Sequence, residues 1–177
     1  MSSVSKGDAD AARLRRRLTV TIKGALRELR NQLSLLNHQV SARVELKDVD
    51  LDCLELIAMH GPLGPSAVAR RAGLHPATMT GILDRLQRGG WITRERDAEA
   101  ADRRAVDVRA LPDRNGELFR LYSGMNESVD EICARYTVAE LELIGDFLRR
   151  TTEAGRTETD VLAGGGDPSR TSEGQAR

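Results

Sequence analysis

One stretch of the chain decides the fold: GPSAVARRAGLHPATMTGILDRLQRGGWITR, from Gly64 to Arg94. Pro65 and Pro76 are both suited to the first position of a helix, and glycines follow each helical segment, at Gly73 and at residues 89–90. Small apolar residues in the first segment would let the two helices cross closely, with Gly73 providing the bend. The stretch therefore predicts two short helices joined by a tight turn.

The residues that follow change from a helical to a strand period. An extended run from Trp91 to Glu95 comes first, and the apolar residues of 106–110 then alternate with polar ones, as in a half-buried strand. A polar loop, residues 96–104, separates the two runs. We therefore predict a β-hairpin with a long tip.

Helical periodicity flanks this centre on both sides. An apolar stripe from Leu14 to Val40 has a mean spacing near 3.6 and predicts one helix of roughly 27 residues. A short second helix follows, with Asp48 as its N-cap. After Gly116 the helical pattern returns in two further segments.

Composition narrows the function classes. The chain has 177 residues, with 27 Lys and Arg against 27 Asp and Glu, so the net charge is zero. Aromatic residues are only 3% of the chain, which argues against an aromatic platform for single-stranded nucleic acid. Neither a signal peptide nor a membrane span is recognisable, and two cysteines make no disulfide framework. We therefore expect a cytoplasmic protein with no membrane association.

Charge is unevenly distributed along the chain. Arg13 to Arg30 carries seven positive residues and one acid, a net of +6, whereas Glu117 to Glu153 has a net of −4. The middle, Pro62 to Arg109, has nine arginines and six acids, a net of +3. The sign of this middle part suits a polyanionic partner.

The order of three helices and a β-hairpin is that of a winged helix-turn-helix. From Val44 to Arg94, the chain resembles the MarR family of transcriptional regulators without a gap, and Asp102-Arg103-Arg104 falls at the family's D-x-R wing motif. The resemblance covers about Leu14 to Arg150. It implies a mainly α fold with a small β-hairpin wing, in which a winged helix-turn-helix lobe joins a helical dimerisation layer.

On this resemblance we divide the chain as follows. Residues 1–11 are expected to be a disordered arm and residues 155–177 a disordered tail, because both are small and polar. Residues 12–154 would form a single MarR-like domain. Within it, 46–112 would be the winged helix-turn-helix, and 12–45 with 116–154 would be dimerisation helices.

The resemblance and the motif imply DNA-binding roles for ten residues. Arg104 would enter the minor groove, Asp102 would hold its guanidinium, and Arg103 would contact a phosphate. The second helix of the motif would offer its N-terminal half to the major groove. The remaining DNA-binding residues are then Ser66 at the helix N-terminus before it, and His75, Ala77, Thr78, Thr80, Gly81 and Arg85.

Three departures from the family pattern affect this interface. His75 stands where a Ser or Thr cap is usual, and Gly81 stands where a long polar residue is common. The wing loop is also one or two residues longer than usual, and LPDRNG, residues 111–116, contains one residue more than the family's strand-to-helix turn. Base readout at Gly81 and the reach of Arg104 depend on these differences.

Other residues invite more specific hypotheses. Asn31, His38 and Met59 could face the cleft in which the family binds a small effector. Cys53 and Cys133 are expected to be buried small hydrophobic residues rather than redox sensors. The three histidines lack ligand spacing, so we expect no metal site and no cofactor.

We expect a homodimer that binds double-stranded DNA at a pseudo-palindromic operator and acts as a repressor released by a small-molecule effector. A second copy would cover the apolar stripes of the first and last helices. The alternative is a winged-helix adaptor that binds a protein partner, favoured by the zero net charge and by Gly81. An enzyme is not expected, because the sequence has no phosphate loop and no nucleophile elbow.

Overall fold

The computed structural model describes residues 6–96 and 106–164. Its helices and strands, in chain order, are α1 (Lys6–Arg43), α2 (Asp48–His60), α3 (Pro65–Ala72), α4 (Pro76–Arg88), β1 (Ile92–Arg96), β2 (Val106–Ala110), α5 (Pro112–Cys133) and α6 (Val138–Gly164). The prediction of a mainly α fold with a β-hairpin is confirmed. The chain divides into two compact units, residues 1–51 and 52–177, and the single domain expected for 12–154 stays a prediction.

In the first unit, a polar cluster ties the end of α1 to the start of α2. The His38 ring nitrogen Nδ1 lies 3.0 Å from the Asp48 carboxylate. The hydroxyl of the buried Ser41 lies within hydrogen-bonding distance of two acceptors, the same carboxylate and the His38 carbonyl, between which its one proton is shared. The hydrogen bond from Ser41, followed by that from His38, lowers the pKa of Asp48. Asp48 is the first residue of α2 rather than its N-cap as predicted, and its carboxylate joins the two helices.

In the second unit, the core lies where α2, α3, α4 and the hairpin meet. Each of these elements buries an apolar face, and the largest side chains that are fully buried include Leu54, Ile57, Val68, Met79, Ile82, Leu83, Leu86, Trp91 and Val108. The buried positions recur about every 3.6 residues along the helices and every second residue along the strand. The helix-turn-helix and the hairpin therefore share one core.

The hairpin is antiparallel, and its register runs from Ile92 opposite Ala110 to Arg96 opposite Val106. The linker between α2 and α3 adds a third short segment to it. Leu63 and Val108 exchange both backbone hydrogen bonds, at 3.1 and 2.8 Å between nitrogen and oxygen. The wing is therefore joined by its backbone to the residues that precede α3.

Three helix ends differ from the sequence-based prediction. α1 begins at Lys6, so residues 6–11 are helical rather than part of a disordered arm, and α6 continues to Gly164 rather than ending near residue 155. Extending a formed helix fixes one residue for each new hydrogen bond, so polar segments are added at little cost. α5 begins at Pro112, before Gly116, because a proline fits the first helical turn.

Apolar side chains remain exposed on α1, α5 and α6. On α1 they include Leu14, Leu18 and Ile22, and on the last two helices they include Phe119, Ile132, Leu143 and Phe147. Large apolar side chains exposed in such numbers are typical of interaction surfaces. In the described parts of the chain, no helix combines the length and the apolar character that crossing a membrane requires.

Candidate nucleic-acid interface

The turn between α3 and α4 is built from backbone geometry. Gly73 adopts a left-handed conformation, with φ 65° and ψ 29°, which a side chain would disfavour. Its N–H donates to the Arg70 carbonyl, and the N–H of Leu74 donates to the Ala69 carbonyl at 2.9 Å. These bonds end α3 and allow α4 to begin at Pro76 after a turn of three residues. The predicted helix-turn-helix is therefore present.

One face of the N-terminal half of α4 points away from the core. Met79, Ile82 and Leu83 are buried, whereas Ala77, Thr78 and Thr80 are exposed and Gly81 is half-buried. The Thr80 hydroxyl donates to the Pro76 carbonyl at 3.1 Å, which orients its methyl group as well. The outer face of α4 thus offers small methyl-bearing and hydroxyl-bearing side chains, which suit the edges of bases.

His75 serves as the N-cap of α4. Its Nδ1 accepts a hydrogen bond from the Ala77 N–H at 3.2 Å. An accepting Nδ1 in a neutral ring places the proton on Nε2, so the exposed side of the ring carries a donor. The imidazole therefore replaces the usual Ser or Thr cap and keeps one donor for another partner.

The starts of the two helices favour an anion. Neither α3 nor α4, both of which the structure describes in full, has an acidic residue in its first turn. Ser66 is exposed at the start of α3. Free N–H groups and the helix dipole are positive at this end, so both starts attract phosphate. At α3 the Asp107 carboxylate of β2 offsets part of this attraction, because it lies close to the N-cap residue Gly64.

An ion pair joins the wing to α4. Arg94 of β1 donates to the Asp84 carboxylate of α4 at 2.6 Å, and across the hairpin Arg109 lies 3.6 Å from Glu95. The sequence did not predict the pair of Arg94 and Asp84, since ten residues separate them. Asp102, Arg103 and Arg104 lie outside the described residues, so their roles stay predictions.

A second contact joins the start of α5 to the end of α4. The Arg114 guanidinium lies 3.9 Å from the centre of the buried Trp91 ring, and it pairs with Glu117 at 2.7 Å. It also donates to the Gly89 carbonyl at 3.5 Å. Gly89 itself lies against Trp91, because an added Cβ would be 2.8 Å from the indole Cδ1. In the sequence, only the single tryptophan directly after two glycines indicated that this position is special, and nothing indicated its contact with Arg114.

Two of the residues proposed for effector binding already have polar partners. His38 binds Asp48, and Asn31 accepts a hydrogen bond from Arg30 at 3.1 Å. Met59 is 75% exposed. All three stay predictions as effector contacts.

Of the two cysteines that were expected to be buried, one is more exposed than predicted. Cys53 is fully buried, as expected, whereas Cys133 is only half-buried because it lies at the end of α5, on a helix with much exposed surface.

The hydroxyl of Tyr122 on α5 forms a hydrogen bond with Glu55 of α2. Burial is the larger cause that raises the pKa of Tyr122, and this hydrogen bond is the second. The sequence did not single out Tyr122.

Comparison with known proteins agrees with this geometry. Residues 46–106 match the model of the MarR family. The chain is 29% identical over 130 residues, 73% of its length and 83% of the relative's, to the uncharacterized HTH-type transcriptional regulator YcgE of Bacillus subtilis (strain 168). It is 26% identical over 92 residues to the HTH-type transcriptional repressor YetL of the same organism, which covers 50% of this chain and 54% of YetL.

Solved structures share the fold. A point mutant of MepR from a multidrug-resistant clinical isolate of S. aureus superposes with a TM-score of 0.64 at 16% identity, covering 75% of this chain and 96% of MepR. A second MepR mutant, bound to an oligodeoxyribonucleotide, gives 0.51 at 16% identity, again over 75% and 96%. The family and the named relatives are transcriptional regulators rather than enzymes. With its helix-turn-helix, its wing paired to α4 and the match over residues 46–106, the chain carries a domain similar to the MarR family and shares the fold of that family's transcriptional regulators.

Proposed function

We propose that this regulator is a homodimeric repressor that binds a pseudo-palindromic operator and is released by a small-molecule effector. The observation that carries the proposal is the outer face of α4. Its small polar side chains are exposed over a fully buried inner face, at a helix start without acidic residues. Such a surface suits insertion into the major groove.

Support for a dimer comes from the apolar side chains that α1, α5 and α6 expose. Burying them against a second copy would remove large apolar area from water, at about 25 cal/mol for each Å². Two copies related by a two-fold axis would present two recognition helices to half-sites about 10 bp apart. The proposed operator is therefore a pseudo-palindrome.

Repression is favoured by the name of one relative, the repressor YetL, and DNA binding by the oligodeoxyribonucleotide bound to MepR. The wing residues Asp102, Arg103 and Arg104 would add a minor-groove contact. A protein-binding adaptor is the second candidate, favoured by the zero net charge and by the absence of a long side chain at Gly81. The two functions differ in their response to salt.

The test begins with selection of bound fragments from genomic DNA of the host, followed by titration of a recovered duplex by fluorescence anisotropy. We expect a pseudo-palindrome, with affinity that falls steeply as salt rises because bound cations are released from the phosphates. Arg104→Ala should weaken binding by about 1–3 kcal/mol. Arg149→Ala, which removes one positive charge from α6, is the matched control and should leave affinity unchanged.

Two results would contradict the proposal. A folded dimer that enriches no sequence at low salt would favour the adaptor. Equal effects of the two arginine variants would mean that only overall charge matters and that the wing does not touch DNA.

A further inference from the structure

One face of α1 carries a line of positive side chains. Arg16, Lys23, Arg27 and Arg30 follow one another at intervals of seven, four and three residues, which places them on one face of a helix with 3.6 residues per turn. All four are exposed. We call this line the cationic stripe, and at 1.5 Å per residue it is about 21 Å long. None of its residues is among the ten that were expected to bind DNA.

The charges around the stripe do not neutralise it. Glu28 is the single acid between residues 13 and 30, against seven positive residues. Like charges three or four residues apart on a helix repel each other, and both Lys23 with Arg27 and Arg27 with Arg30 have this spacing. The stripe is therefore a concentration of charge that an anionic partner would relieve.

The arginines of α6 show the usual alternative. There Arg149 and Arg150 both pair with Asp146, at 3.0 and 2.7 Å. Within the described residues, by contrast, no carboxylate pairs with the stripe, and its one side-chain hydrogen bond runs from Arg30 to Asn31, at 3.1 Å. A solvated helix face commonly mixes charges of both signs, as α6 does. The stripe instead has the composition of a surface that binds a polyanion.

The opposite face of α1 favours one kind of polyanion. It is apolar, and its Leu14, Leu18 and Leu29 are exposed. A helix that lies on a membrane inserts its apolar face, often with aromatic side chains, but α1 has no aromatic residue from Lys6 to Arg43, and the proposed dimer uses its apolar face. A helix covered on that side by protein offers only its charges. These suit duplex DNA, which carries one negative charge for about every 1.7 Å of its axis.

We propose that the cationic stripe of α1 binds the phosphate backbone of duplex DNA without regard to sequence. The proposal rests on the proposed function for the choice of DNA as the polyanion and for the protein that covers the apolar face. The length of the stripe corresponds to about a dozen phosphates, so each of its four cations can meet one. Three of the four are arginines, whose guanidinium groups bind phosphate through paired hydrogen bonds. The stripe thus adds affinity, and no base readout, to what the outer face of α4 provides.

The first experiment counts phosphate contacts from the salt dependence of binding. A long duplex without an operator is titrated with the full-length protein by fluorescence anisotropy at several salt concentrations. The triple variant Arg16→Gln, Lys23→Gln and Arg27→Gln, called the stripe variant, should bind at least fivefold more weakly at low salt. Each lost contact should also make the slope of log K against log salt shallower by about 0.9, hence by about 2.7 for each stripe bound.

A matched control removes the same charge from α6. The triple variant Arg149→Gln, Arg150→Gln and Arg156→Gln should keep the affinity and the slope of the natural chain. Circular dichroism and sedimentation check that both triple variants fold and associate like the natural chain, and glutamine favours the helix about as well as arginine or lysine. An unchanged slope in the stripe variant, or an equal loss in the control, would overturn the proposal.

The second experiment separates the stripe from the outer face of α4. Thr78→Glu with Thr80→Glu places acids on that face, so it should abolish any preference for the operator and leave salt-sensitive binding to the long duplex. Adding the stripe substitutions should then remove most of this remaining binding. Loss of all duplex binding through the α4 substitutions alone would overturn the stripe as a DNA site. Failure of the natural chain to prefer any sequence would refute the proposed function instead, while the effect of the stripe variant on the long duplex would stand.

Two further measurements identify the duplex and test the membrane. If the stripe binds DNA beside the operator, lengthening an operator duplex should raise the affinity of the natural chain but not that of the stripe variant. If it binds a second duplex, the complex saturated with operator should capture a differently labelled duplex, and the complex of the stripe variant should not. Absence of both effects would overturn the proposal. Vesicles of phosphatidylserine and phosphatidylcholine that bind the natural chain more tightly than the duplex does, and that do not bind the stripe variant, would overturn the choice of DNA.

Discussion

Replacing Arg114 with alanine tests whether the contact between the start of α5 and Trp91 stabilises the fold. The side chain stacks 3.9 Å from the centre of Trp91 and is 42% exposed, so the cation–π contact is worth about 1 kcal/mol. Its pair with Glu117 is half-exposed and adds no more than about 0.5 kcal/mol. We therefore expect a loss of about 1–1.5 kcal/mol in the free energy of unfolding, or about 2–6 °C in Tm.

Trp91 provides the assay, because it is the one tryptophan of the chain and is 2% exposed. Urea and thermal unfolding are followed by its fluorescence, at one fixed protein concentration because association also shifts Tm. Arg114→Lys should lose part of the stability, since it keeps the charge without the planar group. Glu117→Gln removes the ion pair alone and should cost less than Arg114→Ala. A loss below about 0.3 kcal/mol in Arg114→Ala, on the same scale, would refute the stacking argument.

Three further predictions concern single positions. Gly89→Ala should lower the free energy of unfolding, measured by urea titration, by about 1–3 kcal/mol, because the new Cβ would lie 2.8 Å from Trp91. The backbone is not the cause, because the φ of −76° at this position suits alanine. Gly81→Ala should instead stabilise α4 by about 0.5–1 kcal/mol, because its Cβ meets only ordinary contact distances, and a loss would show hidden crowding. The pKa of Asp48 is lowered in the folded state, so its contribution to stability is present above the ordinary aspartate pKa and is lost as pH falls through the lowered value. Asp48→Asn should therefore flatten the acid side of the stability curve measured by urea unfolding, and an unchanged curve would contradict this account.

The centre of the fold could be predicted because residues of distinct backbone preference mark where its helices begin and end. Prolines at the helix starts and glycines at the helix ends fix α3 and α4, and the change of period after Gly90 marks the hairpin. These signals act within a few residues of where they stand. The start of α1 carries no such signal, and at the end of α6 the glycines come only at residues 164–166, after the polar stretch that was predicted to be disordered. The predicted bounds were wrong at these two ends.

The contacts that assemble the interface could not be predicted in the same way. Arg94 with Asp84, and Arg114 with Trp91, join residues ten and 23 positions apart, and many other arginines could have filled either role. Only packing of the core brings these partners together. The cap at His75 was visible as a departure from the expected residue type, but its hydrogen bond required coordinates.

The backbone bridge between Leu63 and Val108 limits how far the wing is a separable module. The hairpin closes on a third segment that belongs to the linker before α3, so two stretches of sequence 45 residues apart form one small sheet. A wing exchanged with that of a relative must therefore bring residues 61–64 with it, or the segment before α3 loses its two backbone hydrogen bonds to β2. The unit that can be exchanged between relatives is therefore discontinuous in sequence.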